Sequence, residues 1–576
     1  MRSASLLVPL AASAALALFS CGGAQPAPRA PVATREAPAR TADPAAFGPS
    51  DVDAVLERAW AQRGVTPSPP ADDATFLRRA WIDVVGTIPP PEKVVAFVAD
   101  KSPDKRAKMI DELLASPQYA EHWADYWEDE LLGQTRMADI DRLALRLWLK
   151  AEIAKNTPWD RMVLALLTAT GENTPGGPRP ATASEAERAI EKSAEPINGA
   201  VNYVLKYRDT PQDWAGSASK TFLGLQIQCA QCHDHKTEKW TQKDFQQFAA
   251  CFMRAQTLPL DGPMAKTIRR VLVRDIDRPL PRFMKDADLQ PIGRATPTAL
   301  DGTPMTGNPR ESIARWITTN PALAREMVNR MWGHFLGRGF VDPVDDIRPS
   351  NPADAPELEE ALAKDFAAHG YDVKRLIRTI ALTRVYGLST GSAPPVLWSR
   401  FRATPLGPNE MLDALIDATG VDDALRRLGR FDVEAITERL RTLYGFVFDV
   451  DEESDRPSYE GTITQALVQL NGRLVAGGST ALPGTAVARV ARSDMTDAQK
   501  VEALYLRTMS REPTADELAS WTRYLANPPP LADAPAKPPR GPGPFPRLRE
   551  SRDPKVAAVE DLMWTLLNSS EFALNH

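Results

Sequence analysis

The stretch Asp73-Ala74-Thr75-Phe76-Leu77-Arg78-Arg79-Ala80-Trp81-Ile82-Asp83-Val84-Val85 indicates the fold class of this chain. It lacks internal Gly and Pro, and Gly86 and Pro89 follow it as signals that end a helix. The preceding segment, Asp51 to Gln62, carries its apolar residues at the three- and four-residue spacing of an amphipathic helix. We therefore predict that the chain is built mainly from helices.

The same helical pattern returns along most of the chain. Residues 50–255 are predicted to form a first helical domain, and residues 311–576 a second one with a Pro-rich insertion at 527–547. Residues 256–310 hold many prolines and a β-like run, Ile268 to Val273, so we predict a connector with at most one short β-hairpin. The expected fold is mostly α, with two helical domains joined by this connector.

The overall composition is ordinary for a globular protein. The 576 residues are 43% hydrophobic and 25% charged, with a formal net charge of -6. A chain of this length is too long for one small core, which agrees with two or more domains. Because no long basic patch is visible, nothing predicts a nucleic-acid partner.

The N-terminus carries an export signal. Arg2 precedes an apolar run from Leu6 to Phe19, which is too short for a comfortable membrane span. The stretch Leu18-Phe19-Ser20-Cys21-Gly22-Gly23 resembles a bacterial lipobox, in which the cysteine is acylated. We predict a lipoprotein signal peptide at 1–20, lipidation of Cys21 and an Ala/Pro-rich tether at 21–49, and the alternative is an ordinary cleaved signal or a short anchor. The expected location is the bacterial cell envelope, on the periplasmic or outer-membrane face, with the membrane as a partner.

Three cysteines remain after Cys21, and two of them form a CxxCH motif, Cys229-Ala230-Gln231-Cys232-His233. The odd number argues against a framework of paired disulfides. We predict a helix from Ser217 to Cys232 that places both thiols and His233 on one face. Covalent haem attachment needs this arrangement, because two thiols add to the vinyl groups and the imidazole is the proximal iron ligand.

Other interpretations of the motif stay open. Zinc or iron could be bound by Cys229, Cys232, His233 and His235, although a second ligand pair at finger-like spacing is missing. A disulfide between the two cysteines is another alternative, and a pair of small buried residues without chemistry is the simplest one. The apolar face on which we place the thiols is compatible with all of these.

The sequence offers several candidates for a distal iron ligand and no assignable catalytic group. The candidates for a distal ligand are His122, His334, Met253 and Met264, and His334 also remains an alternative metal ligand. A histidine among apolar residues is more often a core residue than a ligand. The sequence has no Gly-rich phosphate loop, GxSxG elbow or HExxH pair, and Asp342, Asp345 and Asp346 cannot be assigned to catalysis from spacing alone. We therefore assign no catalytic residue and leave open whether the protein is an enzyme.

Longer motifs resemble a known pair of families. The first half resembles the planctomycete cytochrome-like PSCyt domain, which is a domain of unknown function, through Gly64 to Asp72, Trp123 to Trp127 and Phe222 to His235. The second half resembles its usual partner, the PSD domain. The matching stretches there are Asn329-Arg330-Met331-Trp332, Pro343-Val344-Asp345-Asp346, Asn351-Pro352 and Leu566 to Phe572.

The resemblance implies an exported protein and a c-type haem, as the family name records. From the motif and the resemblance together we expect one haem c on Cys229 and Cys232, with His233 as the proximal ligand, and electron transfer to a periplasmic redox partner. Two alternatives remain. One is a non-haem metal-binding or scaffold protein with a metal- or disulfide-stabilised loop at 229–240, and the other is an exported glycan-processing protein.

Overall fold

The computed structural model describes residues 47–133, 137–262, 267–429, 431–448, 472–530 and 553–576. The predicted signal peptide, Cys21 and Met264 lie outside these residues, as do most of the predicted tether and most of the predicted insertion at 527–547. The fold class is confirmed, since the chain is mostly α with only small sheets.

The first part of the chain forms helices α1 to α11, with a 3-10 turn at Gln228–Gln231 between α10 and α11. Their bounds are α1 Pro49–Arg63, α2 Asp73–Val85, α3 Pro91–Ala99, α4 Lys105–Ala115, α5 Pro117–Leu132, α6 Arg142–Ala154, α7 Trp159–Thr168, α8 Ala183–Glu191, α9 Val201–Lys206, α10 Pro211–Leu223 and α11 Gln242–Ala249.

The later helices follow a second 3-10 turn at Ala250–Phe252. Their bounds are α12 Gln290–Arg294, α13 Pro309–Thr319, α14 Pro321–Leu336, α15 Pro356–Ala368, α16 Val373–Ala381, α17 Pro408–Thr419, α18 Val421–Leu428, α19 Val433–Phe448, α20 Arg473–Ser479, α21 Ala486–Ala491, α22 Asp497–Thr508, α23 Ala515–Ala526, α24 Pro554–Leu567 and α25 Ser570–Ala573.

Helix α2 begins and ends where local signals predict. Its N-cap, Asp72, accepts a hydrogen bond from the backbone N–H of Thr75 at 2.8 Å. At the other end Gly86 has a φ of +78°, in the left-handed region that glycine enters without strain. The helix bounds match the sequence prediction.

Five short strands form two small sheets within the described residues. Strands β2 (Ala255–Pro259) and β3 (Val271–Asp275) pair antiparallel, and β1 (Gly171–Glu172) joins the other edge of β3. Strands β4 (Thr404–Pro405) and β5 (Leu574–Asn575) form the second sheet. The pairing of β2 with β3 confirms the hairpin predicted in the connector.

Two large hydrophobic cores lie within the described residues, beside a small third cluster at Leu425, Val433 and Ile436. The larger core includes buried side chains from Val52 to Phe401. The second includes side chains from Leu406 to Phe572, together with Ile82 and Ile88 from the N-terminal part. The larger core contains residues on both sides of the predicted limits at 255 and 311. The domain limits themselves stay predictions from sequence.

Two buried arginines of α2 connect distant parts of the chain. Arg78 donates to the carbonyl oxygens of Thr508 at 2.8 Å and Phe572 at 3.1 Å. Arg79 donates to the carbonyl oxygen of Leu388 at 3.0 Å. A buried guanidinium must find such acceptors, because leaving its donors unpaired away from water costs free energy. Helix α2 therefore contributes to the packing of both cores.

Among the described residues, none of the helices combines the length and the apolar character needed to cross a membrane.

Candidate functional site

The segment that leads to the CxxCH motif is shaped by a helix end at Gly224. Gly224 has a φ of +66°, its N–H donates to Lys220 O at 3.1 Å, and the N–H of Leu225 donates to Ser219 O at 3.0 Å. The bond from Gly224 to Lys220 is the 5→1 bond of an αL cap, in which the left-handed glycine ends α10 at Leu223. The prediction of one helix from Ser217 to Cys232 is therefore wrong, because a left-handed glycine cannot continue an α-helix.

Cys229 lies on the 3-10 turn instead, and Cys232 directly follows that turn. Ile227 and Ala230 are fully buried and anchor the turn, while Cys229 and Cys232 are exposed and carry free thiols. The predicted apolar face containing both cysteines is thus also wrong. Side chains three residues apart eclipse each other in a 3-10 geometry, so Cys229 and the adjoining Cys232 still project from one side.

His233 follows the turn and is exposed. Its Nδ1 lies 2.8 Å from the carbonyl oxygen of Asp234. Because a carbonyl only accepts, Nδ1 carries the hydrogen, and in the neutral ring the lone pair is on Nε2. His233 therefore presents a nitrogen suited to bind a metal.

The N-terminus of α11 holds the motif in place. The N–H of Gln242 donates to Asp234 Oδ1 at 2.8 Å, and Gln242 Nε2 donates to the carbonyl oxygens of Gln231 and Cys232 at 3.1 and 3.2 Å. Thr241 begins this helix in a capping box, in which its side chain accepts from the N–H of Asp244 and the Asp244 side chain accepts from the N–H of Thr241. Hydrogen bonds from Gln242 therefore hold the segment 231–234 against the start of α11.

His235 has a structural role within this loop. Its Nδ1 accepts hydrogen bonds from the backbone N–H groups of Thr237 and Glu238 at 3.3 and 3.1 Å. The backbone N–H of His235 donates to Trp240 O at 2.8 Å. This ring nitrogen is engaged by the backbone, so only Nε2 remains for another partner. The metal-ligand role of His235 stays a prediction.

A second segment, residues 345–350, forms the opposite wall of the site. The N–H of Ile347 donates to Gly224 O at 2.8 Å, and Gln226 Nε2 donates to Asp345 Oδ1 at 3.1 Å. Ser350 Oγ donates to Glu238 Oε1 at 2.6 Å. Sequence reasoning named Asp345 only as an unassigned carboxylate, since nothing local indicates a partner more than a hundred residues away.

Opposite charges stabilise this wall. Lys220 Nζ lies 3.4 Å from Asp345 Oδ2, and Arg348 Nη2 lies 3.0 Å from Asp346 Oδ2. Burial raises the pKa of Asp346, and Arg348 opposes that rise while the neighbouring Asp345 adds to it.

Gly224 allows the two walls to approach. A Cβ placed on Gly224 would lie 2.7 Å from Ile347 Cδ1, whereas one on Gly64, which has nearly the same φ of +64°, would meet nothing within 4 Å. We expect Gly64→Ala to cost about 1–2 kcal/mol for backbone strain. Gly224→Ala should cost about 1–3 kcal/mol more because of overpacking. Urea unfolding of both variants measures the difference, and equal losses would show that the contact with Ile347 has no energetic weight.

A buried acid, Glu326 of α14, lies near this wall. Its Oε1 accepts from Arg330 Nε at 2.6 Å, and Arg330 Nη1 donates to Glu130 Oε1 at 2.7 Å. Burial raises the pKa of Glu326 to about 8, although Arg330 lowers it, and the charges of Glu130 and Asp345 add to the rise. Native Glu326 therefore keeps its proton over a range in which the unfolded chain has lost it.

The raised pKa of Glu326 predicts that stability depends on pH. The contribution of Glu326 to the free energy of unfolding is largest below pH 4.5. It is lost as pH rises toward 8, because only the native state holds the proton in that window. Glu326→Gln should reduce the pH slope of the unfolding free energy by up to about 1.4 kcal/mol per unit. The control is Glu360→Gln, because Glu360 is exposed and Lys364 lowers its pKa. Urea unfolding from pH 5 to 8 tests this, and an unchanged slope would contradict it.

The proposed distal ligands lie in other surroundings. His334 is in an aromatic cluster, with ring centroids 5.0 Å from Trp123 and 6.2 Å from His122, and its Nε2 is 3.3 Å from Asp83 O. Burial lowers the pKa of His122 to about 4, so this ring is neutral. Met253 is fully buried. A distal-ligand role for any of these residues stays a prediction.

In the part of the chain that the structure describes, no group of three or more His, Cys, Asp or Glu side chains is arranged to hold a metal ion. Cys251 is buried, and burial raises the pKa of its thiol to about 12, so it stays protonated. Among the described cysteines, the exposed thiols are therefore those of Cys229 and Cys232.

Both walls of the site lie in regions that match known family models. Residues 51–257 match the model PSCyt2, described as a protein of unknown function (DUF1549), and residues 309–424 match PSD1, described as a protein of unknown function (DUF1553). These two regions of the chain therefore match the PSCyt2 and PSD1 families. The resemblance noted from sequence is confirmed. No curated protein and no solved structure matches the chain.

The two families contribute different parts of the site. The PSCyt2 region supplies the 3-10 turn, His233 and the loop to Gln242, while the PSD1 region supplies Asp345, Ile347 and Ser350. The site is thus formed by the contact between a PSCyt2 loop and a PSD1 loop.

Proposed function

We propose that this PSCyt2–PSD1 protein is an exported c-type cytochrome that binds one haem covalently and transfers electrons in the bacterial cell envelope. The observation that carries the proposal is the pair of exposed, free thiols at Cys229 and Cys232, followed by His233 with its Nδ1 already engaged. This set of groups fits covalent haem attachment.

The two thiols fit the attachment chemistry. Each Sγ–H adds across one vinyl group, so that sulfur bonds to the carbon next to the ring and the proton goes to the outer carbon. The addition is balanced without an oxidant or a leaving group. Exposure of Cys229 and Cys232 keeps both sulfurs accessible, and their three-residue spacing at the 3-10 turn favours projection from one side.

His233 fits the role of proximal ligand. The hydrogen bond from Nδ1 to Asp234 O directs the lone pair of the neutral ring to Nε2, and such a bond raises the basicity of a ligating imidazole. Gln242 holds the carbonyls of Gln231 and Cys232 and so restricts the turn that carries the ligand. The haem, when bound, supplies a one-electron redox couple.

The alternatives receive less support. A zinc or non-haem iron centre would draw on His235, whose Nδ1 accepts two backbone hydrogen bonds. The described residues hold no further cluster that would complete such a centre. The free state of Cys229 and Cys232 does not favour a structural disulfide. No acid–base pair can be assigned in support of glycan processing.

The test is a pyridine haemochrome spectrum together with haem staining on a denaturing gel. The full chain is produced in a host that attaches c-type haem, and its zinc content is measured in parallel. We expect one haem per chain that survives denaturation. A colourless protein with stoichiometric zinc, or a disulfide between Cys229 and Cys232 found by mass spectrometry, would overturn the proposal.

We further propose that acylation of Cys21 anchors the protein to a membrane, where it meets a periplasmic redox partner. The support is the lipobox-like stretch that ends in Cys21. Cys21→Ala should move most of the protein from the membrane fraction to the soluble fraction or block its maturation. Cys251→Ala, which changes a buried thiol, is the control. An unchanged membrane fraction for Cys21→Ala would contradict the lipid anchor.

A further inference from the structure

A groove lies beside the CxxCH segment, between the end of α10 and the PSD1 loop. Its volume is about 360 Å³, within the usual range of small-molecule sites. Leu223, Leu225 and Ile347 supply apolar walls, and Arg325 and Arg348 supply the charged groups.

The groove shares its two chain segments with the candidate haem site. Leu225 precedes Cys229 by four residues in the same segment, and Ile347 is hydrogen-bonded to Gly224. Ser350, two residues after Arg348, is hydrogen-bonded to Glu238 in the loop that follows the motif. The same two chain segments therefore form the groove and support the CxxCH turn.

Both arginines keep donors available for another anion. Arg325 pairs with Glu359 through Nη2 at 2.8 Å, and Arg348 pairs with Asp346 through Nη2 at 3.0 Å. Their side chains are 42% and 38% exposed. A guanidinium has five N–H donors, and the buried Nε of Arg348 has no partner among the described residues.

We infer that this groove receives the propionate edge of the haem, with Arg325 and Arg348 pairing with the two carboxylates. The inference rests on the proposed function. Haem combines an apolar macrocycle with two carboxylates on one edge, which matches apolar walls that carry two guanidinium groups. Arginine suits this role, because its planar fork can bind a carboxylate through two hydrogen bonds.

Such pairing affects the redox balance. A cation close to the haem disfavours the oxidised form, which carries one more positive charge than the reduced form. Removing Arg325 or Arg348 should therefore increase the share of oxidised haem at a fixed potential. It should also leave the propionates easier to protonate.

The experiment uses the haem-loaded full chain and the variants Arg348→Leu and Arg325→Leu. The matched control is Arg315→Leu, because Arg315 is exposed and pairs with Glu311 in the same helix. We expect haem staining to persist and the ratio of oxidised to reduced haem to rise about threefold, or about 28 mV at 59 mV per tenfold for one electron. The propionate bending band in resonance Raman spectra should shift in both groove variants and not in the control.

Two further variants separate the carboxylate contact from other causes. Asp346→Asn combined with Arg348→Leu leaves the local net charge unchanged, so a Raman shift in this double variant reports the lost contact itself. Arg348→Lys keeps the charge and should restore most of the potential if Arg348→Leu folds poorly. If the haem-loaded groove variants keep the wild-type propionate band and the wild-type redox potential, the inference about the groove is wrong and the proposed function still stands. A wild-type chain without covalent haem would overturn the proposed function, and the groove inference with it.

Discussion

Replacing both Cys229 and Cys232 with alanine should reduce haem staining of the denatured protein to background. Only thioether bonds survive denaturation, and these two residues are the exposed thiols of the described chain. Because both side chains lie on the surface, their truncation should leave the fold intact, with stability within about 0.5 kcal/mol of wild type. Haem-stained denaturing gels measure the first effect, and circular dichroism with urea unfolding measures the second.

The matched control for this prediction is Cys251→Ala. Cys251 is buried, and burial raises the pKa of its thiol to about 12, so it should take no part in attachment. Its variant should stain like the wild type, with a modest loss of stability. Equal staining of the double variant and the wild type would show that haem is held elsewhere, and the proposal would fail.

Arg78→Ala should lower the free energy of unfolding by about 4 kcal/mol. Arg78 donates to Thr508 O, Ser510 Oγ and Phe572 O at distances from 2.8 to 3.2 Å. Truncation leaves these buried acceptors without their donor, at about 1–3 kcal/mol for each unsatisfied group. It also opens a cavity where the side chain packed. Urea unfolding measures the loss.

Arg58→Ala is the control for this effect. Arg58 lies on the exposed face of α1, so its removal should change stability by no more than about 0.5 kcal/mol. A loss below about 1 kcal/mol in Arg78→Ala would contradict the prediction, because even one buried unsatisfied acceptor costs that much. It would mean that water or a shifted side chain satisfies the acceptors.

The sequence predicted much of the local structure because its signals act over a few residues. Helix α2 runs from Asp73 to Val85 as its flanking residues indicate, and Thr241 caps α11 as its spacing to Asp244 indicates. The largest local error concerns Gly224. Apolar spacing alone favoured a helix through Cys232, whereas the left-handed Gly224 ends the helix in an αL cap.

The surroundings of the predicted site residues could not be derived in this way. His334 has apolar neighbours in sequence, which identify a buried position but not which rings surround it. The structure places it beside Trp123 and His122, in an aromatic cluster built from α5 and α14. The positions of those helices depend on packing between segments about two hundred residues apart, for which a local pattern carries no information.

The sequence by itself determined that the chain is mostly helical, that its two halves resemble PSCyt and PSD domains, and that it holds one CxxCH motif. These are properties of short-range pattern and residue identity. Only the tertiary structure decided that Cys229 and Cys232 are exposed on a 3-10 turn and that the PSD1 loop at Ile347 forms the opposite wall. The physical reason is that the contacts between the two loops depend on hydrogen bonds and close packing between residues far apart in the chain, such as Gly224 with Ile347.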